Sequence, residues 1–269
     1  MNQNEKQYKA IINYKEKNIE LSVKYRKGNN ELILFIHGLG CSKDSFEQLW
    51  GFPDFKAYSL VTFDLVGFGD SEKTLDFSYD IADQAEICKL LLSQFQYDIV
   101  HIVGHSMGGA IGVLLMEGLK SSSASFINVE GNLIGADCGL ISRKTISYSF
   151  EEFHKNMFNK LILHNKASED FSSKLWAEML QKCDPFAFYK SSKWLVKWSD
   201  SNKLLDIFLG LKCNKAYIYG DKNSEMDVIG MLNGIKKISI SNSGHFMMND
   251  NPNEFYKKLC NTIKVFDLR

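Results

Sequence analysis

The stretch that decides the fold reads IVHIVGHSMGG and occupies residues 99–109. Its first five residues form an apolar run, as in a strand that is buried on both faces of a sheet. Gly104 and Gly108 permit a sharp turn with little side-chain clash, and residues 107–119 continue with an apolar helical pattern. The pattern predicts a strand, a tight turn and a helix, with Ser106 projecting from the turn.

A serine in this position is a candidate nucleophile. Its hydroxyl needs a base, a group that orients the base, and donors for the oxyanion that develops on attack. Unpaired amides and the helix dipole favour negative charge at a helix N-terminus, so the N–H of Met107 is one candidate donor. A second candidate is the N–H of Leu39, in the glycine-rich loop HGLG that follows the apolar run 32–36. His37 at the start of that loop is expected to organise it by hydrogen bonding.

Similar apolar runs predict the other central strands. They lie at residues 32–36, 58–63, 126–129, 216–219 and 238–240. Helical patterns lie at residues 80–95 and 107–119, and a last one runs from Pro252 to about residue 265. Residues 7–14 and 18–25 alternate apolar and polar side chains, which predicts an antiparallel hairpin. Strands that alternate with helices predict an α/β fold with a mainly parallel sheet between two layers of helices.

One region departs from this alternation. Residues 137–210 contain no strand-like run, but they contain helical patterns and three of the four tryptophans of the chain. We expect residues 1–136 and 211–269 to form the core, and residues 137–210 to form a helical cap inserted into it. The aromatic residues of the insert either form its own small core or line an apolar substrate pocket.

Composition limits the classes of partner. The chain has 269 residues and a formal net charge of +0, so it has no general attraction for nucleic acid or an anionic membrane. Its polar start lacks the apolar stretch of a secretory signal and no run is long enough to span a membrane, which predicts a cytoplasmic protein. The six cysteines form no C-x-x-C pair and are expected to be reduced. Neither metal-ligand nor dinucleotide spacings occur, so no metal and no cofactor is predicted.

Four motifs together resemble the α/β-hydrolase superfamily, in its serine-nucleophile branch of capped esterases, lipases and peptidases. In chain order they are HGLG (37–40), DLVGFGDS (64–71), GHSMGG (104–109) and SGHF (243–246). The resemblance implies eight strands in a mostly parallel sheet, a nucleophile after the fifth strand and a cap between the sixth and seventh. It also implies that His245, after the eighth strand, is the general base.

The acid of the triad departs from the usual pattern. In most similar proteins the acid stands three residues after the glycine that ends the seventh strand, and here that position holds Asn223. Glu130, at the end of the sixth strand, and Asp221 are the two alternatives. We favour Glu130, because a carboxylate at a buried strand end needs a partner and a catalytic histidine supplies one.

These residues predict acyl transfer on a small-molecule substrate with an acyl group. A carboxylic ester with a partly apolar group is the favoured substrate, and a serine nucleophile argues against epoxide or haloalkane hydrolysis, for which relatives use aspartate. A thioesterase, an iminopeptidase, a carbon–carbon hydrolase or an acyltransferase would use the same groups. A ligand-binding receptor or scaffold that keeps the fold with little turnover is the alternative from another class. The oligomeric state is left open.

Overall fold

The computed structural model describes residues 5–119, 124–139 and 141–267. Eight strands form one sheet in the order β1-β2-β4-β3-β5-β6-β7-β8. The strands are β1 (Glu5–Tyr14), β2 (Lys17–Arg26), β3 (Glu31–Ile36), β4 (Ser59–Phe63), β5 (Ile99–His105), β6 (Ala124–Val129), β7 (Asn214–Gly220) and β8 (Lys236–Ile240). Strand β2 runs antiparallel to β1 and β4, and all pairs from β4 to β8 are parallel. The predicted fold class and the mostly parallel eight-stranded sheet are confirmed.

Helices cover the sheet and fill the region between β6 and β7. They are α1 (Ile81–Leu92), α2 (Met107–Leu119), α3 (Ser142–Ile146), α4 (Phe150–Glu152), α5 (Phe158–Lys166), α6 (Phe171–Leu180), α7 (Pro185–Asp200), α8 (Lys203–Gly210), α9 (Asp227–Met231), α10 (Met247–Asp250) and α11 (Pro252–Asp267). Short 3-10 helices span Lys43–Gly51, Pro53–Phe55, Gly135–Cys138 and Asp221–Asn223, and a π-helical turn spans Phe153–Met157.

Two hydrophobic cores lie on opposite faces of the sheet. Successive residues of β3 belong alternately to the two cores. Leu32 and Leu34 pack with α1 and α2, whereas Ile33 and Phe35 pack with α11. The separation follows from the period of two along a strand, and both sets are apolar because helices cover both faces. The sheet is therefore a rigid platform that carries the loops at its carboxyl edge.

The described residues between β6 and β7 form helices and no strand. Helix α8 packs on α2, and the centroid of its Phe208 ring lies 5.7 Å from that of Phe126 in β6. We propose that the cap consists of α3 to α7 and that it ends before α8.

The aromatic residues of this region do two different things. One group packs ring against ring, as the interpretation of an internal core predicts: Phe150, Phe153, Phe158, Phe186, Phe188 and Tyr189. The three tryptophans instead donate their indole N–H groups to the core, Trp176 to Leu39 O at 3.1 Å, Trp194 to Ser78 O at 3.2 Å and Trp198 to Asp80 Oδ1 at 2.8 Å. They fix the position of the helices α6 and α7 over the carboxyl edge of the sheet.

Candidate active site

Ser106 lies at a strained turn between β5 and α2. Its φ angle is +55°, in the left-handed region that non-glycine residues rarely adopt. A Cβ on Gly104 would lie 2.3 Å from the carbonyl oxygen of Gly108, and one on Gly108 would lie 2.2 Å from the carbonyl oxygen of Ile36. Both glycines are thus required by close backbone approach, as the sequence predicts for a turn of this kind.

Two backbone amides close to Ser106 are available to a ligand. The N–H groups of Leu39 and Met107 donate no hydrogen bond to any other residue that the structure describes. Met107 is the first residue of α2, where such amides have no partner within the helix. The sequence analysis predicts that these same two amides donate hydrogen bonds to the oxyanion.

His37 organises the loop that carries Leu39. Its Nδ1 donates to Gly38 O at 2.8 Å and its Nε2 accepts from the backbone N–H of Leu65 at 3.0 Å. Burial lowers the pKa of this imidazole below its usual value, so the ring is neutral. The predicted structural role of His37 agrees with these contacts.

A buried ion pair holds Lys43, which follows the same loop in the chain, against Asp64. Lys43 Nζ lies 2.9 Å from Asp64 Oδ2, and the backbone N–H of Lys43 donates to Asp64 Oδ1 at 2.6 Å. The side chains of the two residues are 3% and 0% exposed. The backbone N–H of Asp70 adds a further bond to Asp64 Oδ2 at 2.8 Å. The motif at residues 64–71 therefore has a structural role beneath the site.

His245 and Glu130 are in direct contact. His245 Nδ1 lies 2.7 Å from Glu130 Oε2, and the Glu130 side chain is 1% exposed while that of His245 is 42% exposed. Glu130 also has a left-handed backbone, with φ +41°. Its Oε1 accepts the N–H of Gly220 at 2.8 Å, and Asn223 Nδ2 lies 3.0 Å from both carboxylate oxygens. The side-chain amide of Asn223 thus binds the carboxylate that contacts His245.

Asp221 faces elsewhere. Its carboxylate accepts the backbone N–H groups of Asn242 at 2.9 Å and Ser243 at 3.0 Å. These two bonds lower the pKa of Asp221 below its usual value. Asp221 stabilises the loop that leads to His245, and the structure places it with that loop and not with the imidazole.

His105 holds the backbone of the histidine loop. Its Nε2 donates to His245 O at 2.9 Å, and the two rings lie 4.7 Å apart. Burial, followed by the nearby His245, lowers the pKa of His105 well below its usual value. His105 therefore remains neutral beside His245.

One cavity of about 350 Å³ brings the candidate residues together. Ser106, His245, Glu130 and Leu39 all line it. Its size lies within the range of small-molecule sites. Met107 is not among the lining residues, although it directly follows Ser106.

Trp176 lines this cavity, as one of the two alternatives for the aromatic residues of the insert predicts. The sequence analysis missed other residues of the cavity, and Leu195 and Ile141 reach it from the helical region. Asp137 also lines it, and burial raises the pKa of its carboxyl to about 6 even though Oδ2 accepts the N–H groups of Leu133 and Ile134. No local pattern marks these positions, because only the packing of the helices brings them to the cavity.

Comparisons with known proteins agree with this architecture. A model of the alpha/beta hydrolase fold matches residues 31–132. The chain is 26% identical over 262 residues to Protein phosphatase methylesterase 1 of Candida albicans. This alignment covers 86% of the chain and 68% of that protein. The chain is also 32% identical over 118 residues to Lipase 1 of Psychrobacter immobilis. That alignment covers 38% of the chain and 37% of the lipase. The solved structure of an esterase from Exiguobacterium antarcticum superposes with a TM-score of 0.80 at 17% identity and covers 96% of this chain and 100% of that one.

The match over residues 31–132 and the superposition over almost the whole chain show that the chain has the α/β-hydrolase fold. The structural likeness spans almost the whole chain, whereas the match to the lipase spans just over a third of that protein. Across residues 5–119, 124–139 and 141–267, no helix is long and apolar enough to cross a membrane. The same residues bring together no group of three or more His, Cys, Asp or Glu that would hold a metal ion.

Proposed function

We propose that this protein is a serine hydrolase that cleaves a carboxylic ester through an acyl-enzyme, with Ser106, His245 and Glu130 as its catalytic residues. The observation that carries the proposal is the 2.7 Å contact between His245 and a buried Glu130 in the cavity that Ser106 lines. A carboxylate in that position orients a histidine and stabilises the imidazolium that forms during catalysis.

The first half of the reaction forms the acyl-enzyme. Ser106 Oγ attacks the ester carbonyl and passes its proton to Nε2 of His245, while Nδ1–H of His245 donates to Glu130. The tetrahedral oxyanion accepts hydrogen bonds from the N–H groups of Leu39 and Met107. His245 then protonates the departing alcohol, and the ester acyl group remains on Ser106.

The second half releases the acid. A water molecule gives a proton to His245 and attacks the acyl-enzyme. The tetrahedral intermediate then collapses to the carboxylic acid, while His245 returns the proton to Ser106 Oγ and becomes neutral again. Glu130 and Asp137 both line the cavity in which the acid forms. Their negative charge repels the carboxylate product and favours its departure.

Asn223 and Gly220 keep Glu130 in its productive orientation. The amide of Asn223 contacts both oxygens and Gly220 N–H contacts Oε1, which leaves Oε2 directed at the histidine. Neutral donors satisfy the buried carboxylate without replacing the imidazolium as its charged partner.

Two observations support an ester as the substrate class. The helical region contributes the apolar side chains Trp176, Leu195 and Ile141 to the cavity, which suits a partly apolar acyl or alcohol group. The named relatives are a methylesterase and a lipase, and the fold is shared with an esterase.

Substrate profiling tests the proposal. Purified protein would be assayed with p-nitrophenyl esters of short and long acids, acyl-CoAs and aminoacyl amides, alongside the variants Ser106→Ala and His245→Ala. We expect turnover of the esters, and a loss of about 10⁴-fold or more in kcat for each variant. The matched control is Ser93→Ala, at the far end of α1, which should retain wild-type kcat. Full turnover by Ser106→Ala would overturn the assignment.

A further inference from the structure

A second cavity, of about 460 Å³, lies within the helical region. Apolar side chains form its wall, among them Tyr148, Phe153, Met157 and Leu161. Its volume is large enough for a small-molecule segment. No part of the proposed reaction uses this cavity.

The second cavity adjoins the catalytic one across α3. Ile141 lines both cavities, Ser142 lines the catalytic cavity and Thr145 lines the second. A single short helix and the side chain of Ile141 therefore separate the two spaces. Because both cavities share Ile141, a substrate that spans them would have to pass this side chain.

The two cavities differ in charge. Glu130 and Asp137 line the catalytic cavity, whereas the charged residues that line the second are Lys144 and Lys160, without a carboxylate. Both lysines are exposed to solvent, and the ion pairs of the described residues around them are formed by Arg143 and Lys155 instead. Two ammonium groups at the edge of an apolar space complement an apolar segment that ends in an anion.

The backbone is irregular at this cavity. The π-helical turn Phe153–Met157 interrupts the helical run from Phe150 to Lys166, and its first and last residues both line the cavity. Phe153 is 2% exposed and stacks on Phe188 of α7. Single π turns are rare and occur often at functional sites. The irregular turn is a feature of the backbone that is independent of the two lysines, and it points to the same cavity.

Resting on the proposed function, we propose that this cavity binds the distal end of the ester substrate, and that this end is an apolar chain with a terminal anionic group. The ester lies at Ser106, the chain passes Ile141, and Lys144 and Lys160 bind the carboxylate or phosphate at its far end. The preferred substrate is then a monoester of a molecule with two ends, one neutral at the nucleophile and one charged in the second cavity.

Binding to the Ser106→Ala protein tests this proposal without requiring turnover. The probes are monomethyl sebacate, its neutral analogue dimethyl sebacate, and methyl 10-(phosphonooxy)decanoate, each titrated by calorimetry. Lys144→Gln with Lys160→Gln should raise the Kd of the two anionic probes about fivefold or more and change the Kd of the diester less than twofold. The ratio between the carboxylate and phosphate probes identifies which anion the site prefers. Raising the salt concentration should weaken only the anionic probes.

Two controls separate charge from folding and from catalysis. Lys174→Gln removes an exposed lysine of α6 that lines neither cavity, and it should leave all three Kd values unchanged. Leu161→Trp fills the second cavity and should weaken all three probes. Equal losses for the anionic and neutral probes in the double variant, or no binding of any probe, would overturn the proposal. Hydrolysis of neutral p-nitrophenyl esters by the wild-type protein would still support the hydrolase in that case, so the two failures are distinguishable.

Discussion

The side-chain amide of Asn223 lies 3.0 Å from both carboxylate oxygens of Glu130. The two residues come from different strand ends, Glu130 after β6 and Asn223 from the 3-10 helix after β7. The Asn223 side chain therefore holds the carboxylate that contacts His245 Nδ1 at 2.7 Å. A chain with an amide at position 223 thus still presents a carboxylate to His245.

The first prediction separates the two candidate acids. Glu130→Gln should lower kcat at pH 7.5 by about 10³–10⁴-fold, because a neutral amide cannot stabilise the imidazolium by charge. Asp221→Asn should lower kcat by less than about tenfold, since Asp221 contacts only the backbone of the histidine loop. Steady-state kinetics on one p-nitrophenyl ester measures both. A large loss for Asp221→Asn with a small one for Glu130→Gln would show that the assignment of Glu130 is wrong.

The second prediction concerns the contact between Asn223 and Glu130. Asn223→Asp replaces a donor to both Glu130 oxygens with a second carboxylate, and repulsion between the two carboxylates should turn Glu130 away from His245. We expect kcat at pH 7.5 to fall by about 10–100-fold. Asn223→Ala, the control, removes the same donor without adding a carboxylate and should lower kcat less. Wild-type kcat in Asn223→Asp would contradict the importance of the contact.

The third prediction uses the raised pKa of Asp137, which is about 6 in the folded protein against 3.8 for an ordinary aspartate. The folded state therefore holds the proton more tightly than the unfolded state, so this group stabilises the fold at low pH and loses that contribution as the pH rises from about 4 to 6. Asp137→Asn keeps an acceptor for Leu133 and Ile134 but cannot ionise. Urea unfolding measures the free energy of unfolding at pH 4.5 and at pH 7. Between these two pH values the wild type should lose about 1–3 kcal/mol more of this free energy than the variant does. Parallel pH dependences would contradict the prediction.

The fourth prediction concerns the buried pair of Lys43 and Asp64. Asp64→Asn should lower the free energy of unfolding at pH 7 by about 3 kcal/mol, because it leaves Lys43 buried without its nearest carboxylate. The control is Asp70→Asn, which removes the half-exposed partner of the same lysine and should cost less than about 1 kcal/mol. Urea unfolding measures both losses of free energy of unfolding. Equal losses for the two variants would mean that the burial of Asp64 does not determine how much its ion pair stabilises the fold.

The sheet was predictable because parallel strands that are covered on both faces are continuous apolar runs. The run 32–36 became β3 (Glu31–Ile36), and the pattern 80–95 contains α1 (Ile81–Leu92). The hairpin of residues 7–14 and 18–25 was predictable from its alternation and became β1 and β2, although Lys15 and Glu16 at its turn have positive φ angles without being glycine or asparagine. The short helices and the π turn between β6 and β7 also have no local pattern, because tertiary contacts determine them.

The candidate site was predictable where chemistry demands a residue type at a fixed place in the chain. Ser106 and His245 follow strands whose apolar runs identify them. The choice between Glu130 and Asp221 rested on a general argument about burial, and the sequence gives no sign that Asn223 would bind Glu130. The indole contacts of Trp176, Trp194 and Trp198 could not be predicted from the sequence either, because each contact joins residues that are far apart in the chain.

The most direct test of the central claim is covalent labelling of the folded protein with a fluorophosphonate, followed by intact-mass and peptide mass spectrometry. The reagent reacts with a serine only where a base activates it and donors stabilise the oxyanion. The account predicts one adduct per chain, on Ser106, with labelling abolished in Ser106→Ala and slowed about 10³-fold or more in Glu130→Gln. No adduct on Ser106 of the folded wild-type protein would contradict it.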